Sequence, residues 1–550
     1  MKFQKLNNIA GWAVFGVALL TYWLTMEETA SYWDCGEFIA VSYKLEVPHP
    51  PGAPLFLLIG RLFSFLAFGD VTKVAYWINF SSVLASAFAV LFLFWSIVLF
   101  GRKVMKITRA EELTDEKIWV LMGAGLVGSL SYTFSESAWF SAAEAEVYAM
   151  SSFFTAFVVW AMLKWDVIED ESKANRWLLL IFYMMGLSIG IHLLNLVTIP
   201  ALALLYYFKK YKPTTWGVAT AMAISLLIIF FINEVIIPGL PTIASHFEVF
   251  FVNSMHLPFG SGVIVFGALL LAALVWGIIY SQKNQKIVLN TFLTATAFIL
   301  IGYASYALVV IRSKYNPPID ENDPADVMSF VSYLKREQYG SRPLLFGPYF
   351  TAQPIGIEEG APIYKKGKDR YEIKDRKFDY EYAPNSQTII PRIWSSDPQH
   401  ASAYRENLGL SEGEQPTFGD NLRFLFEHQI GWMYVRYFFF NFAGRQSDIQ
   451  DADWIGVTSW FEKLPTALAE NRGHNNFFMV PFVLGLIGMF YQSSNNTRSF
   501  VVVGLLFVLT GVALVIYLNS PPTEPRERDY IYAGSYYAYC LWIGLAVIAM

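Results

Sequence analysis

The sequence predicts an all-α polytopic membrane protein of about 11–13 transmembrane helices with a small α/β extracytoplasmic segment. Three observations carry this. The mean hydropathy is +0.39. Of the 550 residues, 55% are hydrophobic and only 15% charged, against about a quarter charged in soluble domains. Apolar runs near the ~20 residues needed to cross hydrocarbon recur along the chain. The net charge of −5 gives no sign of a nucleic-acid partner. Two cysteines, Cys35 and Cys540, are too few for a disulfide framework or a thiolate metal site.

In order, Lys2 and Lys5 precede an apolar run from Ile9 to Met26. No small-residue cleavage site follows, so a retained signal-anchor helix is expected. Further spans are expected at 75–100, 118–134, 147–164, 177–191, 194–208, 216–236, 261–280, 287–310, 477–491, 499–518 and 536–550. Leu55 to Phe68 is apolar but short, which suits an interfacial or re-entrant stretch with Arg61 snorkelling. The chain divides into a transmembrane core (1–310), an external loop domain (311–475) and C-terminal helices (476–550). Lys and Arg gather in 101–117 and 209–212, whereas 27–54 holds only Lys44 and 135–146 holds neither. Positive charge stays inside, so the N-terminus is expected in the cytoplasm. The loops 27–54, 135–146, 237–260, 311–475 and 521–534 then lie outside. Tyr536–Met550 is apolar to its last residue, as in a chain that can continue.

Chemistry-bearing residues concentrate in those external loops. Asp34 and Glu37 are three apart in Trp33-Asp34-Cys35-Gly36-Glu37-Phe38. On a helix they share a face, and a carboxylate against an apolar wall has the raised pKa that suits a general base. One could instead cap a short helix while the other is solvated. His49, in the turn Val47-Pro48-His49-Pro50-Pro51-Gly52-Ala53-Pro54, could hold a phosphate or simply pack. Glu136, Glu144 and Glu146 lie in the second loop, where favourable charge at a helix N-terminus is the plain alternative. His192 and Asn195 sit at a turn between two short apolar runs, where a structural histidine is the commoner outcome. Arg436, Arg445, Arg526 and Arg528 could bind phosphate through charge-assisted bonds, or pair with carboxylates such as Asp529. Acidic groups could take a divalent cation, although their spacing specifies none and no cofactor is certain. Nucleotide-binding, metalloprotease and nucleophile-elbow motifs are absent from the sequence.

The Asp34-x-Gly36-Glu37 pair, the His49-Pro50-Pro51-Gly52-x-Pro54 turn, Arg436–Arg445 and Pro525-Arg526-Glu527-Arg528-Asp529-Tyr530 occur in that order. Together they resemble a bacterial family of polytopic proteins related to the TMEM260-type protein O-mannosyltransferases. The resemblance implies the GT-C glycosyltransferase architecture, in which an acidic residue of the first external loop is catalytic. That position falls here on Asp34, with Glu37 beside it. It further implies a polyprenyl-phosphate-linked sugar donor, exported protein as acceptor, and an active site on the periplasmic side of an inner membrane. A transporter or flippase of a lipid-linked or anionic substrate is the alternative, since membrane-embedded charge also marks transport pathways. Against it, the sequence shows no repeat, and its charges cluster at one interface. A third reading is a non-catalytic export scaffold that binds through 311–475.

Overall fold

A computed structural model describes residues 2–340, 342–395, 397–461 and 463–550. The protein is mostly helical. Among the described residues, nine helices are long and apolar enough to cross a membrane, or ten if one bent pair counts as a span. The first nine helices are α1 (Lys2–Thr25), α2 (Asp34–Lys44), α3 (Pro54–Ser64), α4 (Val74–Val104), α5 (Asp115–Thr133), α6 (Glu136–Ala143), α7 (Val147–Asp166), α8 (Glu171–Ile189) and α9 (Ile199–Lys210). The helices Ser261–Lys283 and Ile287–Tyr303 follow, and Asp529–Ala549 closes the chain.

Burial sorts these helices. The windows of highest hydropathy in Val71–Val104 and Asp529–Ala549 are 78% and 83% buried, so these two form the centre of the bundle. Ser261–Lys283 is as apolar as Val71–Val104 yet 11% buried, as expected of a helix whose outer face meets lipid. Small residues let backbones approach at the crossings. A Cβ on Gly128 of α5 would stand 2.6 Å from the Cys540 carbonyl, and one on Gly186 of α8 would stand 2.6 Å from that of Ile299.

Two expected spans fall short of that measure. The helix Val480–Asn495 has only 16 residues, and α8 is not among the nine. Both pack as helices into the bundle regardless. The segment 237–260, expected as an external loop, is helical through residue 254 and continues the preceding span as one run, Thr215–Ser254. Pro238 lies inside this run and is absorbed by a π-helical stretch, Phe231–Gly239, whose wider turn tolerates the missing N–H. The α5–α6 pair is bent by 63°, and Ser135 precedes the second helix in extended conformation.

Within and at the end of 311–475, six strands form two-stranded pairs: β1 (Phe346–Pro348) with β4 (Gln387–Ile389), β2 (Pro354–Lys366) with β3 (Tyr371–Tyr382), and the short β5 (Gly444–Arg445) with β6 (Asn475–Asn476). The helical run 418–442 leads back into the main core, where Phe438 and Phe442 pack against Tyr539 at 4.9 and 4.7 Å between ring centroids. This half of the segment is part of the bundle.

A carboxylate and arginine site at the end of the bundle

The first turn of α2 carries Asp34 and Glu37, and Trp33 enters it at φ 64°. Acids there face the exposed N–H groups and positive end of the helix, which favours their position. Glu37 turns towards the proline turn. Its carboxylate accepts from the His49 backbone N–H at 2.7 Å and meets His49 Nδ1 at 2.7 Å. Burial pushes Glu37 up, but the His49 hydrogen bonds outweigh it and leave the carboxyl below its usual range. Burial pushes His49 down, and the same pair more than reverses this. The turn is anchored from outside: the Tyr333 hydroxyl donates to the Pro48 carbonyl at 2.6 Å. Gly52 sits at φ +74°, where a Cβ would meet that hydroxyl at 2.6 Å.

Asp34 turns the other way. Arg526 Nη2 donates to Asp34 Oδ2 at 2.8 Å and to Glu146 Oε1 at 3.0 Å. One guanidinium thus bridges the first turn of α2, the residue preceding α7, and the segment before Asp529–Ala549. The Asp34 side chain is 43% exposed and that of Glu146 only 5%. Burial raises Glu146 to a pKa of about 7; Arg526 opposes this, and the nearby Asp34 and Glu144 charges add to it. Glu144 is raised by burial too, and it accepts from the Ser31 hydroxyl at 2.7 Å. Arg526 lies 5.0 Å from the Tyr530 ring, and Tyr530 lies 4.4 Å from Tyr148. Behind these two tyrosines lies a narrow cleft between α7, the turn after His192 and the helices near residues 510–537, lined by hydroxyl and apolar groups such as Ser151, Thr155, Leu194, Leu514 and Tyr537. Arg526 itself lines a second cleft, with His428, Trp432, Asp451 and Glu524.

The structure therefore brings together Asp34, Glu37, His49, Glu144, Glu146 and Arg526. The other sequence candidates serve neighbouring networks. Arg436 is 2% exposed in its side chain and grips Glu527 through two nitrogens, at 2.7 and 3.1 Å. Arg445 pairs with Glu136 at 2.9 Å, and Asn475 also donates to Glu136. Arg528 pairs with Glu524 at 2.8 Å. Asp529 is buried and accepts from Ser137, whose backbone N–H donates to Asn441 at 2.9 Å. His192 caps the short helix after it, its Nδ1 accepting from the Leu194 N–H at 3.1 Å, and burial drops its pKa to about 4. Asn195 accepts from Thr155 and Ser151 of α7. Sequence reasoning missed Tyr148 as the wall between acids and cleft, and Glu527 and Asn475 as partners of Arg436 and Glu136. Glu527 was legible in principle, as an acid flanked by two arginines; nothing local marks Asn475.

Asp34, Glu37 and His49 offer ligand atoms within 4.8 Å of one another, a set of oxygens and one nitrogen that suits a divalent cation. The Arg526 guanidinium on Asp34 competes with any such ion for that carboxylate.

Residues 34–215 match the family model described as Protein O-mannosyl-transferase TMEM260 N-terminal domain. Residues 340–426, which include β1 to β4, match a family of unknown function, DUF8416. The protein O-mannosyl-transferase tmem260 of Dictyostelium discoideum is 28% identical over 140 residues, 26% of this chain and 15% of that protein. The mouse protein O-mannosyl-transferase TMEM260 is 27% identical over 178 residues, 32% of this chain and 22% of that protein. The chain thus spans less than a quarter of the length of these relatives. The stretch matched by the family model is the one that contributes Asp34, Glu37, His49 and Glu146, so the similarity to the TMEM260-type protein O-mannosyl-transferases falls on the segment that builds most of the site.

Proposed function

We propose that the chain is a membrane glycosyltransferase of GT-C type that moves a sugar from a polyprenyl-phosphate-linked donor to an acceptor hydroxyl on Ser or Thr of exported proteins, on the extracytoplasmic side of an inner membrane. The relatives' names point to mannose as the sugar. The observation that supports the reading best is Arg526 bridging Asp34 and Glu146 beside the packed pair Tyr148 and Tyr530. A lipid-linked donor needs a cation for its phosphate and a base for the acceptor within a few ångströms of each other, and Arg526 with Asp34 is a pair of that kind.

In this mechanism the partly exposed Asp34 takes the proton of the acceptor hydroxyl as its oxygen attacks the sugar C1, through an oxocarbenium-like transition state. The bond from C1 to the phosphate oxygen breaks, and the charge that grows on the departing polyprenyl phosphate falls to Arg526. Glu146, poised near neutrality, takes up a proton and releases its share of the guanidinium when phosphate arrives. Glu37 and His49 hold α2 against the proline turn and so set the direction of Asp34. The test is purified protein with a polyprenyl-phospho-mannose and a Thr-containing peptide. Glycopeptide is the expected product; movement of the lipid between leaflets without transfer would replace the enzyme with a transporter.

A further inference from the structure

The ribbon β2–β3 is built unlike the rest of the protein. Its strands of 13 and 12 residues pair with each other alone, and a lone hairpin is marginal in water. Its ends are nevertheless fixed. At the turn, the Asn253 side chain bonds both the N–H and the carbonyl of Tyr371, and the Tyr371 hydroxyl donates to Glu248 at 3.3 Å. Further along, Lys377 pairs with Glu337, four residues after the Tyr333 that anchors the turn of His49. The ribbon is thus tied to the helical body at its turn and at Lys377, and through Glu337 it joins the segment whose Tyr333 anchors the turn of His49.

Its two edges differ. β2 carries Pro354 and Pro362, which lack N–H donors, and Gly356 and Gly360, and it shows three register shifts against β3. Prolines and bulges are how natural edges are blunted. β3 has neither Pro nor Gly. Among the described residues, the backbone of 372–381 pairs with no element other than β2. Around this edge Ile357, Ile373, Phe378 and Tyr380 are each more than half exposed. Phe378 and Tyr380 share a face with Ile357, while Glu358, Asp379 and Glu381 occupy the other. A row of free backbone donors and acceptors is complementary to another extended backbone. A second copy is a poorer one: antiparallel overlap of two β3 strands along their whole length sets Arg376 opposite Lys377 and Glu372 opposite Glu381 against one attractive pairing, Lys374 opposite Asp379, each twice, so like charges directly opposite outnumber unlike ones.

We propose that the open edge of β3 docks an extended polypeptide segment by strand addition and delivers it to the Asp34 site. That the docked polypeptide is the acceptor rests on the transferase reading; the docking itself does not. The test is fluorescence anisotropy on the full chain without donor, using a short labelled peptide of alternating Thr and Val, and the same peptide N-methylated at alternate amides. The expected result is binding of the first peptide, weakened at least about tenfold by N-methylation and by the double variant Phe378→Ser/Tyr380→Ser. Equal binding of the methylated peptide, unchanged binding by the variant, no binding at all, or a dimer of the free chain that the variant dissociates would each overturn the proposal. A peptide that docks but accepts no sugar breaks the transferase reading alone; transfer indifferent to the β3 changes breaks the docking alone.

Discussion

Replacing Asp34 by Asn separates chemistry from architecture. The side chain keeps its size and loses its charge. Because it is 43% exposed, its pair with Arg526 is of the weak, screened kind, and Arg526 retains Glu146 at 3.0 Å. The expected stability loss is therefore below ~1 kcal/mol. The expected rate loss is much larger, since a well-placed general base supplies about 10²–10⁴-fold, or about 3–5 kcal/mol of barrier. A secondary effect follows from the shared guanidinium. With the Asp34 charge gone and Arg526 devoted to Glu146, the Glu146 pKa moves down from about 7. The assay is the initial rate of sugar transfer from polyprenyl-phospho-mannose to a Thr peptide, with a thermal melt of the same detergent-purified sample. A variant that keeps more than half the wild-type rate removes Asp34 as the base. A variant that loses rate together with a collapsed melt shows a structural role instead.

The remaining predictions concern the same networks. Glu146 has a folded pKa of about 7 above an ordinary 4.5, so its contribution is fully present below about pH 4.5 and lost as pH rises through 7, a penalty of about 3 kcal/mol at alkaline pH. Glu146→Gln should flatten that decline in melts between pH 5 and pH 8; an unchanged slope would assign it elsewhere. For Glu37 the sign is opposite: its stabilisation is present above the ordinary carboxylate pKa and lost as pH falls through its lowered folded value. His49, raised by the same pair, loses its share as pH climbs through its folded value. Glu37→Gln should cost about 1.5–3 kcal/mol within that window and speed hydrogen exchange across residues 47–54; equal exchange would show that Tyr333 holds the turn alone. Arg436→Met leaves Glu527 without its partner in a buried setting and should destabilise by about 3–5 kcal/mol in denaturant melts, far more than the exposed pair Lys2–Asp115 can be worth.

Hydropathy made most of the bundle legible, because a span of apolar residues has few other homes. It read 237–260 as a loop, whereas the helix runs on to residue 254 through a π-helical stretch that holds Pro238, a continuation that falling hydropathy does not reveal. Count and length also blurred: Val480–Asn495 is shorter than the apolar run suggested. At the site, Asp34, Glu146 and Arg526 could each be nominated from charge at a membrane edge. Their partnership could not, because no spacing rule links residues whose contact is created by tertiary packing. Arg436 and Arg445 looked like equal candidates for phosphate, and only burial against Glu527 and Glu136 distinguishes them from Arg526. The asymmetric edges of the ribbon were written in the placement of Pro354 and Pro362, but a proline pattern acquires meaning only once its strand partner is known.

The bond between Arg526 and Asp34 spans 492 positions of the chain. During synthesis the acid leaves the ribosome and enters the bilayer long before its counter-ion exists. Until residues 525–530 have folded back against the first turn of α2, Glu146 has no guanidinium and must stay protonated or wet. A nascent chain stalled before that point therefore carries Asp34, the proline turn and most of the spans, yet no completed carboxylate–arginine bridge. Assembly of the bridge thus waits on long-range tertiary folding and on no local helix.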